Sequence, residues 1–341
     1  MPCLARPGLT ACAEQYRFKM KSALILIIVG LGLGVGVTPA ISQGRPVLVT
    51  LGTGGGPIVQ TRRSQPANAI VTGGLVYLFD TGEGTQRALR AAELPLAKVR
   101  AVFLTHHHLD HVGGLGPIIV NRWILGLKQP LLVFGPPGTR ELVAGLVAAA
   151  GPTERAPLRL GGGTSVPLSS TVVAADAVVG DRPVEIYRDG NIRVLAIDVD
   201  HFHKVDGSRD PVAQSFGFRI ETGGRSIVIS GDTGPSAALE KLAQGADLLL
   251  SEVMDRPAIA AAVGKIEMPP AARAGFLRHM DLDHLTPAQV GDIAARAGVK
   301  AVVLTHLVPG LDGEHDTSGY TAGLSRHFSG PVTVAKDGDR F

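Results

Sequence analysis

The sequence predicts an α/β protein built as a four-layer αββα sandwich. Short, β-rich apolar runs recur from residue 47 to the C-terminal region, and helix-like segments lie between only some of them. The early section sets consecutive strands before an alternation of strands and helices, and a similar alternation follows residue 190. Two sheet-forming halves with helices outside fit a sandwich better than a singly wound sheet. The chain has 341 residues, 45% of them hydrophobic, enough for a sizeable core.

In chain order, the strands predicted for the first half are Val47–Leu51, Ala69–Val71, Leu75–Phe79, Ala101–Leu104 and Leu131–Phe134. Those of the second half are Ile192–Ile197, Phe216–Ile220, Ser226–Ile229, Asp247–Leu250 and Ala301–Leu304. Each is bounded by Gly, Pro, Asp or His, as strands are. Helices are predicted at Thr85–Glu93, Gly138–Ala150, Ser236–Gln244, Pro287–Ala297 and Thr321–Phe328. Pro287 after Thr286, and Pro235 after Gly234, stand where a first-turn proline belongs. Residues 151–190 are rich in Gly, Pro, Ser and Thr with weak periodicity. They are expected to form a connecting arm or lid, with room for one hairpin, inside a single domain spanning 44–341.

The N-terminal 43 residues have a different character. Lys19-Met20-Lys21 precedes an apolar run from Ala23 to Val37 and then Thr38-Pro39-Ala40-Ile41-Ser42. A positive segment, an apolar segment and a small-residue exit predict a secretory signal peptide, with a retained membrane anchor as the alternative. Arg6, Arg17, Lys19 and Lys21 against Glu14 account for the whole formal charge of +3, so the rest of the chain is neutral. Cys3 and Cys12 also lie in this segment. A cleaved product has no cysteine, so any metal must be held by nitrogen and oxygen.

Chemistry concentrates at strand ends. The run Ala101–Leu104 is followed by Thr105-His106-His107-His108-Leu109-Asp110-His111. In an extended backbone alternate residues share a face, so His106 and His108 point together while His107 points away. Asp110 and His111 follow at the turn into the next element. Imidazoles and a carboxylate are the ligand types for Zn²⁺, Mn²⁺ or Fe in hydrolytic sites. Three more strand ends offer the same types: Asp200-His201, Gly231-Asp232-Thr233 and Thr305-His306. Ligands at strand ends converging on one rim are how α/β folds build sites.

These words, with Leu51-Gly52-Thr53-Gly54, Phe79-Asp80-Thr81-Gly82-Glu83-Gly84-Thr85-Gln86, Gly135-Pro136-Pro137-Gly138, Ser230-Gly231-Asp232-Thr233, His284-Leu285-Thr286 and Leu304-Thr305-His306-Leu307, resemble the metallo-β-lactamase superfamily. The resemblance runs from about Val47 to Phe341 and is nearest to the branch with ribonuclease Z and the arylsulfatase-like hydrolases. It implies two divalent ions, Zn²⁺ first and Mn²⁺ or Fe as alternatives. One would take His106, His108 and His201, the second Asp110, His111 and His306, with Asp232 bridging. A hydroxide shared by the ions would be the nucleophile, oriented by Asp110. His203 is an alternative to His201, since Asp200-His201-Phe202-His203 offers both. Asp80 is implied to be a structural carboxylate beneath the site. His284, paired with Glu252, is implied to stabilise charge or protonate the leaving oxygen, with capping of the following helix as the alternative. His107, His279, His315 and His327 are expected to be surface or structural residues.

The expected reaction is hydrolysis of a small sulfate or phosphate ester by an exported, periplasmic or secreted enzyme, after the arylsulfatase-like relatives. Nucleic acid is disfavoured as a partner, because the body is neutral and the middle arm offers only Arg155, Arg159 and Arg182. The apolar Val120–Leu127 region with Trp123, and Gly161-Gly162-Gly163, are expected to shape the pocket. Membrane contact is expected only through an uncleaved N-terminus, and a homodimer is a family-level expectation. The alternatives are a ribonuclease Z-type tRNA 3′-endonuclease or phosphodiesterase, a lactonase, and a non-catalytic metal-binding protein.

Overall fold

A computed structural model of the chain describes residues 44–156, 166–204 and 206–341. The leader expected at 1–43, Arg159 and the Gly161–Gly163 stretch lie outside the described residues. The first sheet takes its strands in chain order: β1 (Val47–Gly52), β2 (Ala67–Thr72), β3 (Leu75–Phe79), β4 (Val99–Phe103), β5 (Leu131–Gly135) and β6 (Val172–Asp176). The pairs β1–β2 and β2–β3 are antiparallel, and β3 through β6 are parallel. Its helices are α1 (Thr85–Ala91), α2 (Leu109–Val112), α3 (Leu115–Ile124), α4 (Thr139–Ala149) and α5 (Gly151–Arg155).

The second sheet holds β7 (Val184–Arg188), β8 (Arg193–Val199), β9 (Ser215–Thr222), β10 (Arg225–Ile229), β11 (Leu248–Met254), β12 (Val302–Val308) and β13 (Val332–Val334), in the order β13 to β7. Strands β7 to β10 pair antiparallel and β10 to β13 parallel, so β8, β10, β11 and β12 all run the same way. The helices here are α6 (Ala237–Ala243), α7 (Arg256–Gly264), α8 (Pro270–Asp283) and α9 (Pro287–Ala297).

Strand alternation separates the layers. Val76 and Leu78 of β3 turn to a core under the first set of helices, while Tyr77 and Phe79 turn to the core between the sheets. There Phe79 lies 5.0 Å from Phe103 of its own sheet and 5.6 Å from Phe218 of the other, ring centre to ring centre. A third core, with Leu242, Val290, Ile293 and Leu304, lies under α6 and α9. These three apolar layers between four layers of backbone are the predicted sandwich.

Several elements differ from expectation. Residues 151–190 do not form a hairpin, because β6 joins the edge of the first sheet and β7 the edge of the second. Helix α3 was concealed by Gly113, Gly114, Gly116 and Pro117, which read as a loop. Its Trp123 is buried among Leu115, Ile119 and Leu168, with its indole N–H donating to the Val166 carbonyl at 2.9 Å, and helps build the helix-layer core. The helix expected at Thr321–Phe328 is instead two 3₁₀ turns, Ser318–Thr321 and Leu324–Arg326. Gly323 between them has φ 81°, a left-handed turn no α-helix continues through. Pro287 opens α9 behind a Thr286–Gln289 capping box, whereas Pro235 stands one residue ahead of Ser236, the cap of α6.

Candidate metal centre

The residues that sequence spacing singled out meet at the C-terminal ends of β4, β8, β10 and β12. His106 and His108 follow β4 in extended backbone, and the alternation holds. His108 Nδ1 lies 3.0 Å from His106 Nε2, while His107 turns away to Thr139, 2.9 Å from its hydroxyl. Asp110 and His111 sit in the single turn of α2. That turn fits against the loop after β3 because residue 82 is glycine, where a Cβ would collide with the Asp110 carbonyl.

His201 comes one residue beyond Asp200 at the end of β8, its Nε2 3.3 Å from His108 Nδ1. Its neighbour His203 turns outward to Asp283, Nδ1 to Oδ1 2.7 Å, so the geometry gathers His201 and not His203 into the cluster. His306 is delivered by a bulge. Glu252 of β11 faces Thr305 and Val253 faces Leu307, which leaves His306 as the extra residue, at φ 44°. A bulged residue with positive φ is re-aimed out of the strand's alternation, here toward the site.

Asp232 stands at the middle. Its Oδ2 lies 3.1 Å from His306 Nε2, 3.9 Å from His106 Nε2 and 4.0 Å from His201 Nε2, and its Oδ1 3.3 Å from His111 Nε2. Asp110 Oδ2 is 3.6 Å from both His111 Nε2 and His306 Nε2. Two groups able to hold a metal ion result: His106, His108, His201 and Asp232, and Asp110, His111 and His306. Asp232, His284 and His306 form a third, overlapping one.

The donors fit divalent ions. Buried His111 Nε2, His306 Nε2 and Asp232 Oδ1 have no hydrogen-bond partner, an arrangement that costs about 1–3 kcal/mol per atom unless something else satisfies them. Tautomers are set for coordination as well. His111 Nδ1 donates to Asp80 Oδ2 at 2.9 Å, and His201 Nδ1 to the Asp283 carbonyl at 2.9 Å. Thr105 Oγ donates to Asp80 Oδ2 at 2.9 Å and accepts from His106 Nδ1 at 3.0 Å. Each Nε2 is thereby left with a free lone pair. Thr105 and Asp283 were not singled out in the sequence, since neither residue type is itself a strong metal ligand at such a spacing.

Electrostatics point the same way. Burial holds His106 well below the usual imidazole range and takes His201 down to about 3, which favours the neutral, ligating form. Burial would also lower His111 and His306, but Asp232 and its fellow carboxylates outweigh it, and His306 is raised to about 10. A site that draws protons so strongly has a negative potential suited to a cation. Beside it His284 Nδ1 lies 2.8 Å from Glu252 Oε2, whose Oε1 accepts the Thr233 amide at 2.6 Å. Burial opposes a charge on His284, and Glu252 prevails over it, raising the imidazole. Capping of α9 falls to Thr286 instead.

Residues 76–307 match the family described as the beta-lactamase superfamily domain. The chain belongs to the metallo-β-lactamase superfamily. As a member of that superfamily it is a metal-dependent hydrolase, and its curated relatives are consistent in name. It is 35% identical over 297 residues to a ribonuclease Z of Mycolicibacterium paratuberculosis (strain ATCC BAA-968 / K-10), covering 85% of this chain and 95% of that protein. It is 32% identical to the ribonuclease Z of Mycolicibacterium gilvum (strain PYR-GCK), over 79% of this chain and 87% of the relative. In fold it resembles human tRNase Z, short form, with TM-score 0.58 and 23% identity over 86% of this chain and 98% of that one. It also resembles the metallo-beta-lactamase fold protein YhfI from Bacillus subtilis, with TM-score 0.60 and 19% identity over 87% of this chain and 98% of the other.

These relatives correct one expectation. A small-molecule ester with nucleic acid disfavoured does not fit a superfamily member whose relatives at 32–35% identity are named as ribonucleases. The neutral charge of the body misled because it averages over the whole surface, whereas phosphate contacts are made by a few local groups.

Proposed function

We propose that this superfamily member is a phosphodiesterase that cleaves RNA in the manner of its ribonuclease Z relatives. The observation that carries the reading is the buried His284–Glu252 pair beside the Asp232 cluster. An aryl ester expels a stabilised phenoxide, but a ribose oxygen leaves as a strongly basic alkoxide and needs a proton in the transition state. An imidazole kept protonated by an adjacent carboxylate supplies that proton.

His106, His108, His201, Asp110, His111, His306 and the central Asp232 would hold two divalent ions, most suitably Zn²⁺. When bound, the ions supply an activated water and neutralise charge on the phosphoryl group. Asp110 is positioned to orient that water, its Oδ2 fixed by the Gly56 amide at 3.0 Å. His284 would donate its proton to the leaving oxygen, and Glu252, anchored by the Thr233 amide, holds the ring in place. The purified chain loaded with Zn²⁺ or Mn²⁺ should cut a tRNA precursor carrying a 3′ trailer. Turnover of an aryl sulfate or a lactone with the RNA left intact would overturn the reading.

Residues 1–43 we infer to be an export leader, on the strength of Lys19-Met20-Lys21 and the apolar run to Val37. An exported enzyme would meet RNA outside the cytoplasm. Sequencing the N-terminus of the mature protein tests this: an intact start in the cytoplasmic fraction sinks it.

A further inference from the structure

Asp283, at the end of α8, is fully buried and does two different things. Its carbonyl accepts from His201 Nδ1 and sets that residue's tautomer. Its carboxylate holds two further imidazoles, neither of them in the metal cluster. His203 Nδ1 lies 2.7 Å from Oδ1, and His279 Nδ1 lies 2.6 Å from Oδ2. The His203 amide also donates to Oδ1, at 3.1 Å. With each Nδ1 taken up by the carboxylate, the Nε2 edge of each ring is the one left to meet a ligand. His203 keeps 16% and His279 46% of its side chain exposed.

Both rings stand at the reacting centre. His203 is two residues past His201, and the His279 ring centre is 6.1 Å from that of His284. The insertion that carries His203 is braced on two sides. Arg209 bonds Asp198 at 2.6 Å and lies 3.7 Å from Asp200, tying the loop to β8. Arg278 of α8 reaches the Asp206 carbonyl at 3.5 Å on the other side. The loop closes on itself, with the Asp210 amide donating to the Phe202 carbonyl at 2.7 Å. Two imidazoles held this way lose little freedom on meeting a ligand, so their hydrogen bonds go to affinity rather than to ordering.

We propose that His203 and His279, oriented by Asp283, bind a phosphate oxygen of the RNA next to the scissile bond and so select a polynucleotide over a simple diester. This rests on the reading of the site as an RNA phosphodiesterase. The two histidines are binding residues, and Asp283 is a positioning residue. A bis-aryl phosphate carries only the scissile phosphate, so it cannot use the rim.

The test compares kcat/KM on a tRNA precursor with kcat/KM on bis(4-nitrophenyl) phosphate, for the metal-loaded wild type, His203→Ala, His279→Ala and each His→Gln variant. The ratio of the two constants should fall about tenfold in each alanine variant, through KM for the RNA more than kcat, and recover in part with glutamine, whose amide can still donate. Metal content stays that of the wild type. A ratio equal to the wild-type value overturns the rim, whether both constants fall together, as a structural role would cause, or neither moves. Wild-type protein that hydrolyses the diester and leaves RNA intact overturns the underlying reading and the rim with it. RNA cleavage with an unchanged ratio in the variants overturns the rim alone.

Discussion

The carboxylate of Asp80 accepts from His111 Nδ1 at 2.9 Å and, through the Thr105 hydroxyl, governs His106 as well. One buried acid thus sets the tautomer of one imidazole in each of the two metal-holding groups. Asp80 itself sits at φ 60°, a left-handed conformation that places both carboxylate oxygens under the Thr105–His106 segment.

Asp80→Asn should therefore weaken both metals while leaving every ligand in place. An asparagine amide cannot accept from His111 and Thr105 together as the carboxylate does, and metal affinity should fall about 10–100-fold. Competition with a chromophoric chelator measures it. Affinity equal to that of the wild type would show that the relay through Thr105 does not matter.

Metal removal should abolish hydrolysis, and Asp232→Ala should prevent recovery. Asp232 is within 4.0 Å of His106, His111, His201 and His306, so its loss strips a donor from both groups. Elemental analysis after dialysis against chelator and readdition of Zn²⁺ checks this. A variant that keeps two ions and full rate contradicts the assignment.

The His284–Glu252 pair predicts a directional pH effect. Glu252 raises the imidazole against burial, so His284 is protonated at neutral pH and the rate is lost as pH rises through its raised value. Glu252→Gln removes the charge that raises it, and the alkaline limb of kcat against pH should move to lower pH. An alkaline limb that stays in place, or moves up, excludes His284 as the acid. A drop in kcat of about 10²–10⁴-fold is expected for His284→Ala.

Gly82→Ala should cost stability and activity together. The added methyl meets the Asp110 carbonyl and the Gln65 backbone, neither of which can yield without moving α2. A loss of about 1–3 kcal/mol is expected for such overpacking, read as a fall in denaturant midpoint, with metal binding weakened in parallel. Unchanged stability would mean that the loop after β3 is not clamped to α2.

The sandwich and most of the site were legible in the sequence for the same reason. Period-2 alternation and the side chains at strand ends are local properties, so His106, His108, Asp110, His111, Asp232 and His306 announce themselves by spacing. Other features were hidden because their cause is not local. Helix α8 has an apolar face too weak to read, yet its last residue, Asp283, buttresses His201. Strands β6, β7 and β13 lie at or near sheet edges, where partial exposure blurs the alternation.

The sequence by itself determined the fold class, the ligand types and the strand ends that carry them, since those follow from backbone periodicity and side-chain chemistry. Only the tertiary structure decided between His201 and His203. Both lie on the same face of an extended segment, and the choice turns on Asp283, some eighty residues away, drawing one imidazole outward while its carbonyl orients the other. The same holds for His306. Its side chain enters the site because a bulge against Glu252 of the neighbouring strand breaks the alternation, and a bulge is a property of two paired strands.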